Sequence, residues 1–345
     1  MKTAVMTAIG EMQWEDRPAP TPGPRDVLVR VEKVGICGSD LHYFESGRIG
    51  DFVVEPPFVL GHEAAGTIIE IGSEVTNLAV GDRVAMEPNI TCGECEFCRS
   101  GQYNLCPDVE FFATPPIDGT FQEYVTHPAL LCFKLPDGMS TMEGALIEPL
   151  AVGFHAATMG GARLGQTALV FGCGCIGLVS MMALKALGAT TVYMVDVMDA
   201  RLRKAQDLDA TAVLNGMTQD VIAEVTSLTH GRGVDIVIET SGTDIAMNQA
   251  INLTRKGGTI VPVGYSKSGM ITLPMSVAIN KELRFQTVFR YRHNYPLAIA
   301  AVAGGRVNLR GIVTHEYSFD DIQRAMDESI ADKATVVKAV MSICD

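Results

Sequence analysis

The sequence predicts an α/β protein: a β-rich region over residues 1–148, a doubly wound parallel sheet over 149–287, and a tail over 288–345 that returns to the first region. Three observations predict it. The length, 345 residues, suits two domains of ordinary size. Short, loosely alternating segments fill the first part, and from about residue 165 apolar strands alternate with helical stretches. Between the two regimes, an apolar strand runs straight into a GxGxxG turn.

In the first part, Val27 to Val34, Gly66 to Ile71, Gly81 to Ala85 and Phe121 to Val125 read as strands. The Pro-rich stretch Arg17 to Pro24 reads as an extended connection. In the second part the strands are Thr167 to Phe171, Thr191 to Asp196, Val213-Leu214, Asp235 to Glu239, Thr259 to Val263 and Leu283 to Val288. Helices are expected over Ile176 to Leu187, Asp199 to Leu208, Gln219 to Leu228 and Asp244 to Leu253. The tail suggests helices at Tyr295 to Ala303 and Ser318 to Glu328, the second capped by Ser318, and a final strand Thr335 to Met341.

A hydrophobic content of 47% with 19% charged residues is that of a chain with large cores, and excludes global disorder. The net charge of −13 repels phosphate backbones and anionic lipid, so neither a nucleic-acid partner nor a membrane surface is expected. The start carries no secretory pattern, and the apolar run Ala168 to Leu187 is broken by glycines and Lys185; a cytoplasmic protein is expected.

Gly172-Cys173-Gly174-Cys175-Ile176-Gly177 has the strand and helix that a dinucleotide loop requires. The first glycine permits the turn, the second lets a pyrophosphate approach, and the third packs helix on strand. Asp196, 19 residues past Gly177, stands where a carboxylate meets the adenosine ribose. No base follows at Val197 or Met198, which favours NAD over NADP, and Arg201 is placed on the adenine side.

Cys92, Cys95, Cys98 and Cys106 are four thiols in fifteen residues, a closed tetrahedral zinc by spacing, with an iron–sulfur cluster as rival. A zinc module for nucleic acid is opposed by Glu87, Glu94, Glu96, Asp108 and Glu110 around the loop. Cys37, His62 and Glu63 are a suitable donor set for a catalytic zinc, but spacing does not join Cys37 to His62, and on spacing alone a buried thiol and a satisfied histidine are the favoured reading.

Taken together, Gly35 to His42, Gly61-His62-Glu63, the four-cysteine loop, Glu148 to Val152 and the glycine turn occur in the order found in zinc-dependent medium-chain dehydrogenases. The whole chain is covered. Tyr43, the segment Phe111 to Gly119 and Phe289-Arg290-Tyr291 resemble the polyol branch, the sorbitol (L-iditol) and xylitol dehydrogenases. The resemblance implies a GroES-like catalytic domain with a structural-zinc lobe at 91–107, a Rossmann NAD-binding domain, and oxidation of a polyol to its 2-ketose, with a butanediol- or threonine-type dehydrogenase as the alternative. It implies two zincs per chain: one on Cys37, His62 and Glu63, the other on the four cysteines. Glu148 stands where alcohol dehydrogenases carry a further cysteine ligand, and reaches the metal directly or through water. Ser39 and His42 form a proton relay, with a helix N-cap as a compatible role for Ser39, and Asp40 orients His62 or caps locally. Tyr43, Phe111, Thr114, Glu148, Arg290 and Tyr291 line the substrate, with Phe112 as a further wall. Gly172, Gly174, Ile176, Gly177, Asp196, Arg201, Val263, Gly264 and Phe289 serve the cofactor. A homotetramer is implied as well. Phe44, more often tryptophan in animal relatives, is a departure in the outer pocket.

Overall fold

Two units make up the chain in the computed structural model, which describes residues 1–266 and 268–344. The first comprises Met1–Glu148, Tyr295–Ala303 and Val313–Asp345; the second comprises Pro149–Asn294 and Gly304–Ile312. The tail therefore does not return in one piece, because 288–294 and 304–312 belong to the second unit. Its last residue, Asp345, lies outside the described residues.

In the first unit the strand Asp26–Gly35 is the hub of a seven-stranded sheet. It pairs antiparallel with Glu63–Ile71, Tyr124–Pro128 and Ala339–Ser342. Val27, Val29 and Val31 fill the core at period two; a register shift between Val31 and Lys33 then moves the buried series to Val34 and Ile36. The strand ends at Gly35, and the helix Gly38–Ser46 begins three residues later. The unpredicted hairpin Lys2–Ala8 and Glu11–Asp16 adds Ala4, Val5 and Met6 to the same core.

The second unit is a parallel six-stranded sheet. Its order is Ala212–Asn215, Thr191–Asp196, Thr167–Phe171, Val234–Glu239, Thr254–Pro262, Arg284–Phe285. Chain order reverses at Thr167–Phe171, the switch point where doubly wound sheets bind ligands. Val234–Glu239 is buried along its whole length and Thr167–Phe171 from Ala168 onward, as strands covered on both sheet faces are.

Several boundaries differ from expectation. Phe121 bonds to Ala4 and Leu60 instead of extending a strand, which begins only at Tyr124. Gly81 is a turn residue (φ +91°), so its strand starts at Arg83. The edge strand expected to reach Val288 is only Arg284–Phe285, since it has a partner on one side alone. The final strand is Ala339–Ser342, because Thr335 folds back onto the Asp332 carboxylate. Asp220 caps Val221–Leu228 by accepting from the Ala223 N–H at 3.1 Å, shortening that helix. Ser318 precedes a 3₁₀ turn, and its hydroxyl donates to Asp321 at 2.8 Å; it caps no backbone N–H, and the α-helix runs Ile322–Ala331.

Candidate active site and cofactor loop

Cys37, His62 and Glu63 converge although spacing did not join them. Pairing of Asp26–Gly35 with Glu63–Ile71 sets Gly35 opposite Glu63, so the residues just beyond both strand ends meet. Their donor atoms lie within 4.8 Å of one another. His62 is 6% exposed and Glu63 1%. Cys37, not Ser39, is the N-cap of the helix Gly38–Ser46. Asp40, fully buried, ties the group together. Its carboxylate accepts from the N–H groups of Cys37 and Gly61, each at 2.9 Å, and faces Nδ1 of His62 at 3.5 Å. Both roles foreseen for Asp40 are thus present: local cap and orienter of the imidazole.

Electrostatics fit a cation. Burial opposes charge on His62, yet Asp40 and Cys37 hold the imidazole well above its ordinary pKa. Burial likewise opposes ionisation of Asp40, but His62 and the two backbone donors keep it below the carboxylate range. An anionic carboxylate behind one imidazole nitrogen leaves the other for a metal. Thiolate, imidazole and carboxylate are a three-donor set for zinc with one position to spare. The Phe111 ring lies 5.4 Å from that of His62 and walls the site; Phe112 stacks instead on His127 at 4.7 Å.

Glu148 is 5% exposed near the start of the helix Ile147–Met159 and is not a member of the three-donor group. Ser39 is half-buried, His42 exposed, Tyr43 buried, and Thr114 half-buried in a turn that its carbonyl closes on Ile117 at 2.9 Å. Within the second unit the Arg290 guanidinium covers the Phe289 ring at 4.9 Å, and Tyr291 is fully buried.

The four cysteines form a second group. Sγ of Cys92 is 3.9 Å from that of Cys98 and 3.5 Å from that of Cys106. A tetrahedral zinc with bonds of about 2.3 Å separates its sulfurs by about 3.8 Å; an iron–sulfur cubane spreads them much farther. Backbone N–H groups of Cys95 and Cys98 donate to Cys92 and Cys95 sulfurs, each at 3.4 Å. Those of Glu94 and Cys95 bring the Cys92 thiol down to about 7, whereas burial pushes Cys106 up to about 11. The cluster is compatible with a structural zinc.

Gly172 has φ +94°; a Cβ on Gly174 would meet only Arg201 Nη1, at 3.6 Å; one on Gly177 would lie 1.8 Å from the Gly172 oxygen. Gly174 then caps the helix Cys175–Ala186, which contains Ile176 and presents its N-terminus. Asp196 clamps the turn, taking the Cys173 N–H at 2.6 Å and those of Val197 and Met198 at 2.7 and 2.9 Å. Three of a carboxylate's roughly four acceptor sites are thereby used. Val263 and Gly264 both donate to the Glu239 carbonyl, at 2.7 and 3.0 Å. A cavity of about 520 Å³ lies where Arg163, Arg255 and Arg284 gather, and no sequence-predicted site residue lines it.

The model of the alcohol dehydrogenase GroES-like domain matches residues 23–137, and that of the zinc-binding dehydrogenase matches 175–304. A sorbitol dehydrogenase from Bacillus subtilis is 42% identical, with 99% of this chain and 97% of that protein covered. The chain belongs to the zinc-type polyol dehydrogenase family. Another relative, an L-idonate 5-dehydrogenase from Vitis vinifera, is 44% identical over 90% of this chain and 86% of its own. Among solved structures, 2R,3R-butanediol dehydrogenase from Bacillus subtilis superposes with a TM-score of 0.91 at 33% identity, covering 99% of both chains. A zinc-binding dehydrogenase from Sinorhizobium meliloti bound to NADP gives 0.89 at 30%, covering 99% and 98%. An Escherichia coli alcohol dehydrogenase complexed with NADH gives 0.91 at 27%, covering 99% of both. The first part of the chain is thus GroES-like and the second Rossmann-like. No helix among the described residues is long and apolar enough to cross a membrane.

Sequence reasoning missed Lys338 and gave Gly35, the first residue of the Gly35 to His42 motif, no role; both meet Glu63 from behind. It also missed Thr240, whose hydroxyl donates to the Phe171 carbonyl at 2.7 Å beneath the glycine turn. No motif spacing announces Lys338 or Thr240.

Proposed function

We propose that the protein oxidises a polyol (xylitol, or sorbitol and L-iditol) to the 2-ketose, with hydride passing to NAD. The carrying observation is the meeting of Cys37, His62 and Glu63 with Asp40 behind the imidazole. These three residues would hold a catalytic zinc and the four cysteines a structural one, two per chain. When bound, the catalytic ion supplies Lewis acidity toward an alcohol oxygen.

The chain's own groups then have separable tasks. Ser39 and His42 stand three residues apart on the helix Gly38–Ser46, hence on one face, and lead from half-buried to exposed. They carry the proton outward; the buried Glu148 carboxylate is the alternative acceptor. Tyr43, Phe111, Thr114, Arg290 and Tyr291 provide polar and ring contacts for a hydroxyl-rich substrate. Gly172, Gly174, Ile176 and Gly177 seat the pyrophosphate, and Arg201 lines the adenine side. Asp196 offers its remaining acceptor site to the ribose and disfavours a 2′-phosphate, which supports NAD. Val263, Gly264 and Phe289 border the nicotinamide end.

A second reading, a butanediol-type dehydrogenase, is favoured by the solved butanediol enzyme. A panel of C4 to C6 polyols and vicinal diols, read by NAD reduction beside metal content, decides between them. Preference for a C5 or C6 polyol supports the first reading; turnover of a diol alone defeats it.

The protein is further proposed to be cytoplasmic and homotetrameric, without nucleic-acid or membrane partners. Tyr265 (79% exposed), Met270 (78%), Ile245 (73%) and Ile279 (68%) are apolar area that self-association would cover. Sedimentation analysis checks the tetramer.

A further inference from the structure

The strand Ala339–Ser342 pairs antiparallel with Asp26–Gly35, Val340 opposite Gly35, and Gly35 is itself opposite Glu63. This double register brings Lys338, 2% exposed, against the carboxylate of Glu63, 1% exposed. Lys338 Nζ ion-pairs with Glu63 Oε2 and donates to the Ile36 carbonyl at 2.9 Å. Gly35 makes the room: a Cβ there would lie 2.0 Å from Glu63 Oε2 and 3.0 Å from Lys338 Cε.

We infer that Lys338 is a positioning residue for the metal centre, holding one oxygen of Glu63 so that the carboxylate offers only its other oxygen to the ion. The inference rests on the zinc reading above. Charge supports it: an ion held by Cys37 as thiolate and by Glu63 would stand beside the buried Asp40 carboxylate, three anionic groups in one neighbourhood. A divalent cation cancels two of them, and the Lys338 ammonium the third. A buried assembly of charges is tolerated when its members are paired or hydrogen-bonded; Glu63 is paired with Lys338, and Asp40 accepts from the Cys37 and Gly61 N–H groups. A carboxylate pinned at one oxygen is also prevented from closing on the ion through both, so the open position of a three-ligand site is kept for substrate. Without the lysine, Glu63 becomes a stronger, two-oxygen donor and the electrophile is blunted.

The test is cobalt(II) at Cys37, His62 and Glu63 in full-length protein whose cysteine loop retains zinc. In Lys338→Met the visible cobalt absorption is expected to weaken and shift as coordination rises, and a chelator strips the ion only at a roughly tenfold higher concentration. Lys338→Arg restores both properties. Should Lys338→Met fail to fold, with Glu63 left as an uncompensated buried charge, Gly35→Ala displaces the same pair with every charge retained and is expected to alter spectrum and retention alike. Cobalt absorption and retention unchanged from native in a folded Lys338→Met, or in Gly35→Ala, overturn the inference while leaving the zinc reading intact. Native protein that takes up no cobalt at these donors overturns both.

Discussion

The two thiol-bearing clusters of the first unit are built in opposite ways. The cysteine loop draws four like donors from residues 92–106, with Cys92 exposed and backbone N–H groups as its supporting shell. The Cys37 cluster draws three unlike donors from two strand ends, lies mostly buried, and is supported by side chains, Asp40 and Lys338. Four thiolates saturate a tetrahedral ion and leave it nothing to do but hold a lobe; three donors leave one place for chemistry. The contrast teaches that donor count and the nature of the supporting shell, more than donor identity, separate a structural centre from a reactive one.

The largest test of that contrast is Cys37→Ser. Losing a metal that stabilises developing charge by several kcal/mol lowers kcat/KM about a thousandfold or more. Metal analysis is expected to find the cysteine-loop ion retained and circular dichroism unchanged. Next comes Asp40→Asn, which keeps the shape but weakens the anion behind His62. Metal affinity at that site is expected to fall about 10- to 100-fold in chelator competition, with no change at the cysteine loop. Cys98→Ser should reverse the pattern: the thermal midpoint drops by roughly 5–10 °C while turnover at 25 °C stays within about threefold. The smallest effect belongs to His42→Ala. An exposed relay residue has solvent as a substitute, so kcat falls by no more than about tenfold and small imidazole buffers restore it.

How much the sequence disclosed follows the same division. The cysteine loop and the glycine turn are legible because contiguous residues build them, and each glycine's role is set by neighbours within the turn or by one adjoining strand. Cys37 and His62 are joined only by antiparallel register across two strands, a long-range property that periodicity cannot supply. The resemblance to a family closed that gap. Lys338 stayed hidden because it stands 302 residues from the Ile36 carbonyl it bonds. The missed helix Gly38–Ser46 mixes Gly38, Ser39 and Asp40 into its first turn, types that favour caps and turns; here the Asp40 carboxylate accepts the N–H of Cys37, the N-cap. The doubly wound sheet was plain because buried parallel strands read as unbroken apolar runs, whereas the edge strand and the split tail depend on tertiary partners.

The central claim is that one ion, on Cys37, His62 and Glu63, is what makes this scaffold reactive. Stripping the protein with a chelator and titrating zinc back while following polyol-dependent NAD reduction tests it most directly. The account predicts that the rate vanishes on stripping and returns with zinc, and that Cys37→Ser never recovers although its cysteine loop refills. Full turnover by the stripped protein would contradict it.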